Sequence, residues 1–146
     1  MVQLQEVHDF VVKCIVHEGK VAHAVQPNLD KEWPAVWYQG AGSADAPPDF
    51  STLILAGPEG PDFDAGTPER AAFVVLNDPA HALSFLDYLR WVVKQHEPVL
   101  QAAEKDGETI PVEVCPIDGS ECETLRRMAS ELFHQRPGFK REWRVQ

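Results

Sequence analysis

An α+β fold is what the 146-residue sequence predicts, with three main amphipathic helices packed against a small, mainly antiparallel sheet of two or three strands. Three observations carry that prediction. Apolar residues recur at helical spacing in three long segments, two short stretches are rich in aromatic and branched residues, and proline and glycine punctuate the junctions between them.

The first helix is expected from Gln3 to about Gln26, where Leu4, Val7, Val11, Cys14, Val21 and Val25 follow the alternating three and four spacing of an amphipathic helix and Pro27 stops it. Glu18 sits in that stripe where the pattern calls for a core side chain. The segments Trp33 to Gln39 and Ser51 to Ala56 read as two antiparallel strands separated by the turn-rich stretch Gly40 to Asp49. Leu53, Ile54 and Leu55 run without alternation, so the second strand is expected to be covered on both faces. An acidic Pro/Gly-rich loop follows at 57–68.

Pro68 opens a short helix through Leu76, and Asn77 or Asp78 ahead of Pro79 marks the start of the next, which runs to about Glu97 before Pro98. On a helical projection Ala82, Phe85, Leu86, Leu89, Val92, Val93 and His96 share one face, while Trp91 and Tyr88 point to the other side. Residues 109–115 are expected as a third strand at a sheet edge, because Pro111 has no ladder donor. Ser120 and Glu123 have the spacing of a capping box for a final helix ending near Gln135, with Cys122, Leu125, Ala129, Leu132 and Phe133 as its apolar stripe. The basic tail at 136–146 is expected to pack through Phe139 and Trp143.

A length of 146 residues with 44% apolar and 25% charged composition fits one globular domain, 1–146. No apolar run approaches the ~18 residues of a membrane helix, and three cysteines at irregular spacing behind an N-terminus without a signal-peptide pattern point to a soluble protein of the cytoplasm. The net charge of −10 disfavours nucleic acid as a partner. The charge is uneven: residues 40–70 hold six acids against Arg70, a surface suited to a basic partner, and residues 126–146 hold six bases against Glu131 and Glu142.

The order and spacing of Trp33-Pro34 with Trp37, Asp78-Pro79-Ala80 with Leu83, His96, Cys122-Glu123-Thr124-Leu125-Arg126 and Pro137-Gly138-Phe139-Lys140-Arg141-Glu142-Trp143 resemble a domain-of-unknown-function family of actinobacteria and their phages. The resemblance implies a small accessory protein and transfers no activity or catalytic residue. Members of that family often carry a His ahead of the Asp-Pro pair, and some a Cys-x-x-Cys pair between the last two helices. Here Phe73 and Asn77 occupy the first region, and the second pair is absent.

Two functional expectations stay open. One is a non-enzymatic protein-binding or regulatory module, docking on a protein or on a second copy of itself through Tyr88, Trp91 and His81, since exposed aromatics on a rigid helix are typical interface anchors. The other is a small zinc-binding protein or metal-dependent enzyme using Glu18, His96, Cys115 and Cys122, whose residue types suit tetrahedral zinc, with a structural Glu18–His96 hydrogen bond as the simpler use of the same groups. No motif for a phosphate-cradling loop or a catalytic nucleophile is present.

Overall fold

A computed structural model describes residues 2–25, 37–40, 51–55 and 62–146. Pro27, residues 33–36 of the first expected strand, Ala56, and the loop stretches 41–49 and 57–61 lie outside them. The architecture is α+β, with the strands divided between two sheets. The chain forms two compact units, one of residues 1–17 and 87–146 and the other of residues 18–86. Helices α1 (Leu4–Val25) and α3 (Pro79–Gln95) contribute to both.

In the unit of residues 18–86, β1 (Tyr38–Gln39), β2 (Leu53–Leu55) and β3 (Phe63–Asp64) form an antiparallel sheet in that order, with Gln39 opposite Ile54 and Ile54 opposite Phe63. Only the middle residue of β2 faces a core: Ile54 is fully buried, whereas Leu53 and Leu55 are 44% and 38% exposed. The expected double coverage is therefore corrected to ordinary alternation, because successive side chains of a strand point to opposite faces. Helix α2 (Pro68–Leu76) starts as expected, with the Thr67 hydroxyl accepting from the Arg70 N–H and Pro68 in the first turn.

The start of α3 is set by Asp78 rather than Asn77. Its fully buried carboxylate accepts the His81 N–H at 2.7 Å and the Trp37 N–H at 2.9 Å, tying the helix N-terminus to the chain entering β1. Asp78→Ala is expected to lower the unfolding free energy by about 1–3 kcal/mol, since it orphans both donors. Asp78→Asn, which keeps one acceptor oxygen, should lose less in the same urea titration.

Among the described residues, the unit of residues 1–17 and 87–146 holds most of the buried hydrophobic side chains. Leu4, Val7, Val11 and Cys14 of α1 are buried as the stripe requires, joined by Phe10 and Ile15. Further along α1, Val21 is 51% exposed and Ala22 takes the inward position. On α3, Leu86, Leu89, Val93 and His96 turn inward, but Phe85 is 51% exposed, so the apolar stripe is narrower than the projection implied.

Among the described residues, 109–115 do not extend a larger sheet. Strand β5 (Glu108–Val114) pairs along its whole length with β4 (Val99–Lys105), from Val99 opposite Val114 to Lys105 opposite Glu108. The two-residue turn is Asp106–Gly107, both with positive φ (52° and 82°), the conformation that gives right-handed twist to a tight hairpin. Pro111 is accommodated because both strands of an isolated hairpin are edges.

Ser120 is not a helix cap. Helix α4 (Glu123–Arg127) begins after Cys122, which has left-handed backbone angles and donates no side-chain cap, and it continues as a single π turn, Met128–Leu132. The tail is tied down as expected. Trp143, 2% exposed, lies 5.0 Å from the Phe10 ring and 5.9 Å from Phe139 between centroids, and the Arg126 guanidinium donates to the Trp143 and Arg144 carbonyls.

Candidate metal centre

The hairpin delivers the first donor. Immediately after β5, Cys115 and Gly119 exchange backbone hydrogen bonds of 2.9 and 3.0 Å, which closes Cys115-Pro116-Ile117-Asp118-Gly119 into a tight loop. Gly119 takes φ +74°, a region that L side chains rarely adopt, so glycine suits the closure. Inside the loop the Asp118 N–H donates to Cys115 Sγ at 3.3 Å. Backbone N–H donors of this kind are the outer hydrogen bonds found around metal-bound sulfur.

The chain then runs three residues to Cys122 at the mouth of α4. Cys122 holds φ 35° and ψ 72°, an uncommon conformation for a residue with a Cβ, and its thiol is fully buried. Such strain persists only where the surroundings over-determine it, and it collects at functional positions. Asp118 stabilises the same corner, because its Oδ2 accepts the Thr124 N–H at 3.1 Å and so serves the helix N-terminus that Ser120 does not. The fourth group, His96, follows the last turn of α3 and is 8% exposed.

These four side chains converge. His96 Nδ1 lies 3.3 Å from Cys115 Sγ, 3.4 Å from Asp118 Oδ2 and 3.7 Å from Cys122 Sγ, while Cys122 Sγ is 3.8 Å from Asp118 Oδ2. All four donor atoms fall within 4.8 Å of one another. Zinc bound tetrahedrally at about 2.3 Å to sulfur and about 2.0–2.2 Å to nitrogen and oxygen sets donor–donor edges of about 3.3–3.8 Å. The four short distances match those edges, and the residue types are those zinc accepts.

The electrostatics are uneven. Burial pushes the Cys122 thiol up to about 12, with the neighbouring Cys115 and Asp118 adding to the rise. The Asp118 carboxyl is held below the usual carboxylate range, first by the hydrogen bond from the Thr124 side chain, then by the Thr124 backbone N–H and the charge of His96. A cation placed among them would meet an ionised carboxylate and would have to displace the Cys122 proton.

Residues 4–145 match the family of unknown function DUF6221. The chain belongs to that family. No curated protein and no solved structure matches it. The Cys122-Glu123-Thr124-Leu125-Arg126 segment of this DUF6221 chain, on which the resemblance partly rested, is the one that opens α4 at the cluster.

Sequence reasoning named His96, Cys115 and Cys122 and missed Asp118. The signal was an Asp118–Gly119 turn between the two cysteines, a loop position that helical periodicity does not address. Glu18, grouped with them on the sequence, is half-buried in the unit of residues 18–86, and its carboxylate is not one of the four clustered donors. The aromatic pair lies elsewhere on α3: Tyr88 and Trp91 are 59% and 60% exposed, with ring centroids 6.2 Å apart and planes at 27°. His81 is exposed too, but its ring Nδ1 sits 2.9 Å from the Asp78 carboxylate that starts α3. Among the described residues no helix is long and apolar enough to cross a membrane.

Proposed function

We propose that this DUF6221 chain is a zinc-binding module in which Cys115, Asp118, Cys122 and His96 hold one ion that fastens the β4–β5 hairpin and the start of α4 to the end of α3. The observation that carries this reading is the match of four of the six donor–donor distances to the edges of a zinc tetrahedron, with the other two within 4.8 Å. Four protein donors close the coordination sphere, which is the pattern of a structural site; catalytic zinc keeps a position open for water or substrate. The ion is thus a fastener and not a reaction centre. An accessory role in the cytoplasm suits three buried cysteines without a disulfide, and an actinobacterium or its phage is the source that the resemblance favours.

Elemental analysis of protein purified without a metal-affinity tag tests the reading. One zinc per chain is expected, falling to none in a Cys115→Ser, Cys122→Ser double variant. Zinc far below one per chain after reconstitution, or zinc retained by a variant lacking His96 and both cysteines, would refute it.

The affinity should depend on pH with a defined sign. Cys122 binds as a thiolate but holds its proton through neutral pH in the metal-free site, its value being about 12. Each zinc bound therefore releases at least one proton, and the apparent affinity rises with pH by about tenfold per unit for each proton released. Competition with a chromophoric chelator between pH 6 and pH 8 measures the slope.

A second reading is favoured by the exposed, stacked Tyr88 and Trp91. This face, with His81 further back on the helix, is a protein-docking surface for a second copy of the chain or another protein, while the acidic stretch suits a basic partner. Trp91→Ala should weaken such an association at least about tenfold. Sedimentation and co-purification profiles identical to those of the wild type would remove this reading.

A further inference from the structure

We infer that Cys115 and Cys122 are a redox pair, and that closing a disulfide between them is the event that empties the zinc site. This rests on the zinc reading for its consequence, but the bond itself follows from the geometry of the two thiols. Both are free, both sit on one short segment, and their sulfurs lie within 4.8 Å of each other. A disulfide needs sulfurs about 2.05 Å apart, so the two side chains must turn toward each other to close it. The loop is already drawn tight by the paired Cys115 and Gly119 backbones.

The surroundings assign the two sulfurs different tasks. Cys115 Sγ accepts the Asp118 N–H at 3.3 Å and is the sulfur that stands closer to His96 Nδ1, at 3.3 Å, so a proton leaving it has the shorter path to the ring. Cys115 is the attacking thiol. Cys122, at 3.7 Å from the same nitrogen, is the resolving thiol.

With a peroxide as oxidant the balance closes. The Cys115 sulfur attacks one peroxide oxygen, the O–O bond breaks, the thiol proton passes through His96 to the departing oxygen, and water leaves a sulfenic acid behind. The Cys122 sulfur then attacks the Cys115 sulfur, the S–O bond breaks, and the departing hydroxide takes the Cys122 proton as a second water. Two thiols lose two electrons and two protons, and one peroxide becomes two waters. The disulfide withdraws both thiolates, leaving His96 and Asp118, too few donors for a closed zinc site. A dithiol reductant reverses the change by thiol–disulfide exchange. Cys14, buried on α1, is not part of the four-donor cluster and serves as an internal control.

The experiment uses the full-length chain, stripped of metal and treated with stoichiometric hydrogen peroxide. The expected product is lighter by about 2 Da, carries a Cys115–Cys122 link on peptide mapping, and leaves Cys14 open to alkylation. It takes up no zinc until dithiothreitol restores the thiols, and zinc-loaded protein treated in parallel releases its ion as the link forms. In a Cys122→Ser variant, Cys115 should stop at a sulfenic acid trapped by dimedone. Independent over-oxidation of the two cysteines, a link through Cys14, or thiols that persist at this dose would each overturn the inference. The mass and mapping readouts on wild-type protein need neither zinc nor a folded variant. A chain that forms the link yet never binds zinc defeats the metal reading instead.

Discussion

Removing zinc with a strong chelator should lower the thermal midpoint of the chain by about 10 °C. An ion bound only to the folded state and present at about a thousand times its dissociation constant contributes about 4 kcal/mol, and one kcal/mol moves the midpoint of a domain of this size by about 2–4 °C. The effect should be local in origin. The hairpin, the Cys115–Gly119 loop and the left-handed Cys122 converge on the site, so losing the ion loosens the entry to α4 before the aromatic cluster around Phe10. The Cys115→Ser, Cys122→Ser variant should melt at the chelated midpoint and no longer respond to chelator. Differential scanning calorimetry with and without zinc checks both statements, and equal midpoints in all four samples would contradict them.

The second large effect is expected at the tail. Trp143→Ala should cost about 3–5 kcal/mol, because it removes the most enclosed ring of the Phe10–Phe139–Trp143 cluster and leaves a cavity. Trp143→Phe should cost less than half as much: the indole Nε1 is buried and finds no hydrogen-bond partner among the described residues, so replacing it forfeits packing but no polar contact. Lys140→Ala, which removes the exposed pair with Glu6, should leave the midpoint nearly unchanged. Urea denaturation of the three variants orders these effects, and an unperturbed Trp143→Ala protein would show that the tail is not part of the core. With its ring enclosed, Trp143 offers no face on which a nucleobase could stack.

Much of the fold was legible because helix signals are local. The first stripe of α1, Pro68 behind a Thr cap and Pro79 behind an Asp cap are each read within one or two turns of chain. What was missed or misread depends on partners distant in sequence. Strand β4, Val-Leu-Gln-Ala-Ala-Glu-Lys, has a composition closer to a helix than to a strand, and it is extended because β5 pairs with it. The Asp106–Gly107 turn was its only local signal. Phe85 and Val21 were placed inward by periodicity alone, which does not say how wide a face the neighbours will cover.

The same distinction explains the candidate site. Its two cysteines and His96 were singled out by residue type, although Cys115 and Cys122 stand seven positions apart, wider than the usual spacing of paired zinc ligands. The Cys115–Gly119 pairing folds that gap back on itself, which spacing along the chain does not reveal. Asp118 was overlooked because its two tasks, accepting from Thr124 at the start of α4 and facing His96, exist only once the loop has closed. Glu18 was included because a carboxylate in an apolar stripe invites a partner, although its side chain is only half-buried.

The zinc K-edge X-ray absorption spectrum of the reconstituted protein addresses the coordination set itself. Two sulfur scatterers at about 2.3 Å and two nitrogen or oxygen scatterers at about 2.0–2.2 Å are expected, with one sulfur lost on replacing either Cys115 or Cys122. A first shell of nitrogen and oxygen alone, or six-coordinate zinc carrying several waters, would contradict a closed centre built from Cys115, Asp118, Cys122 and His96.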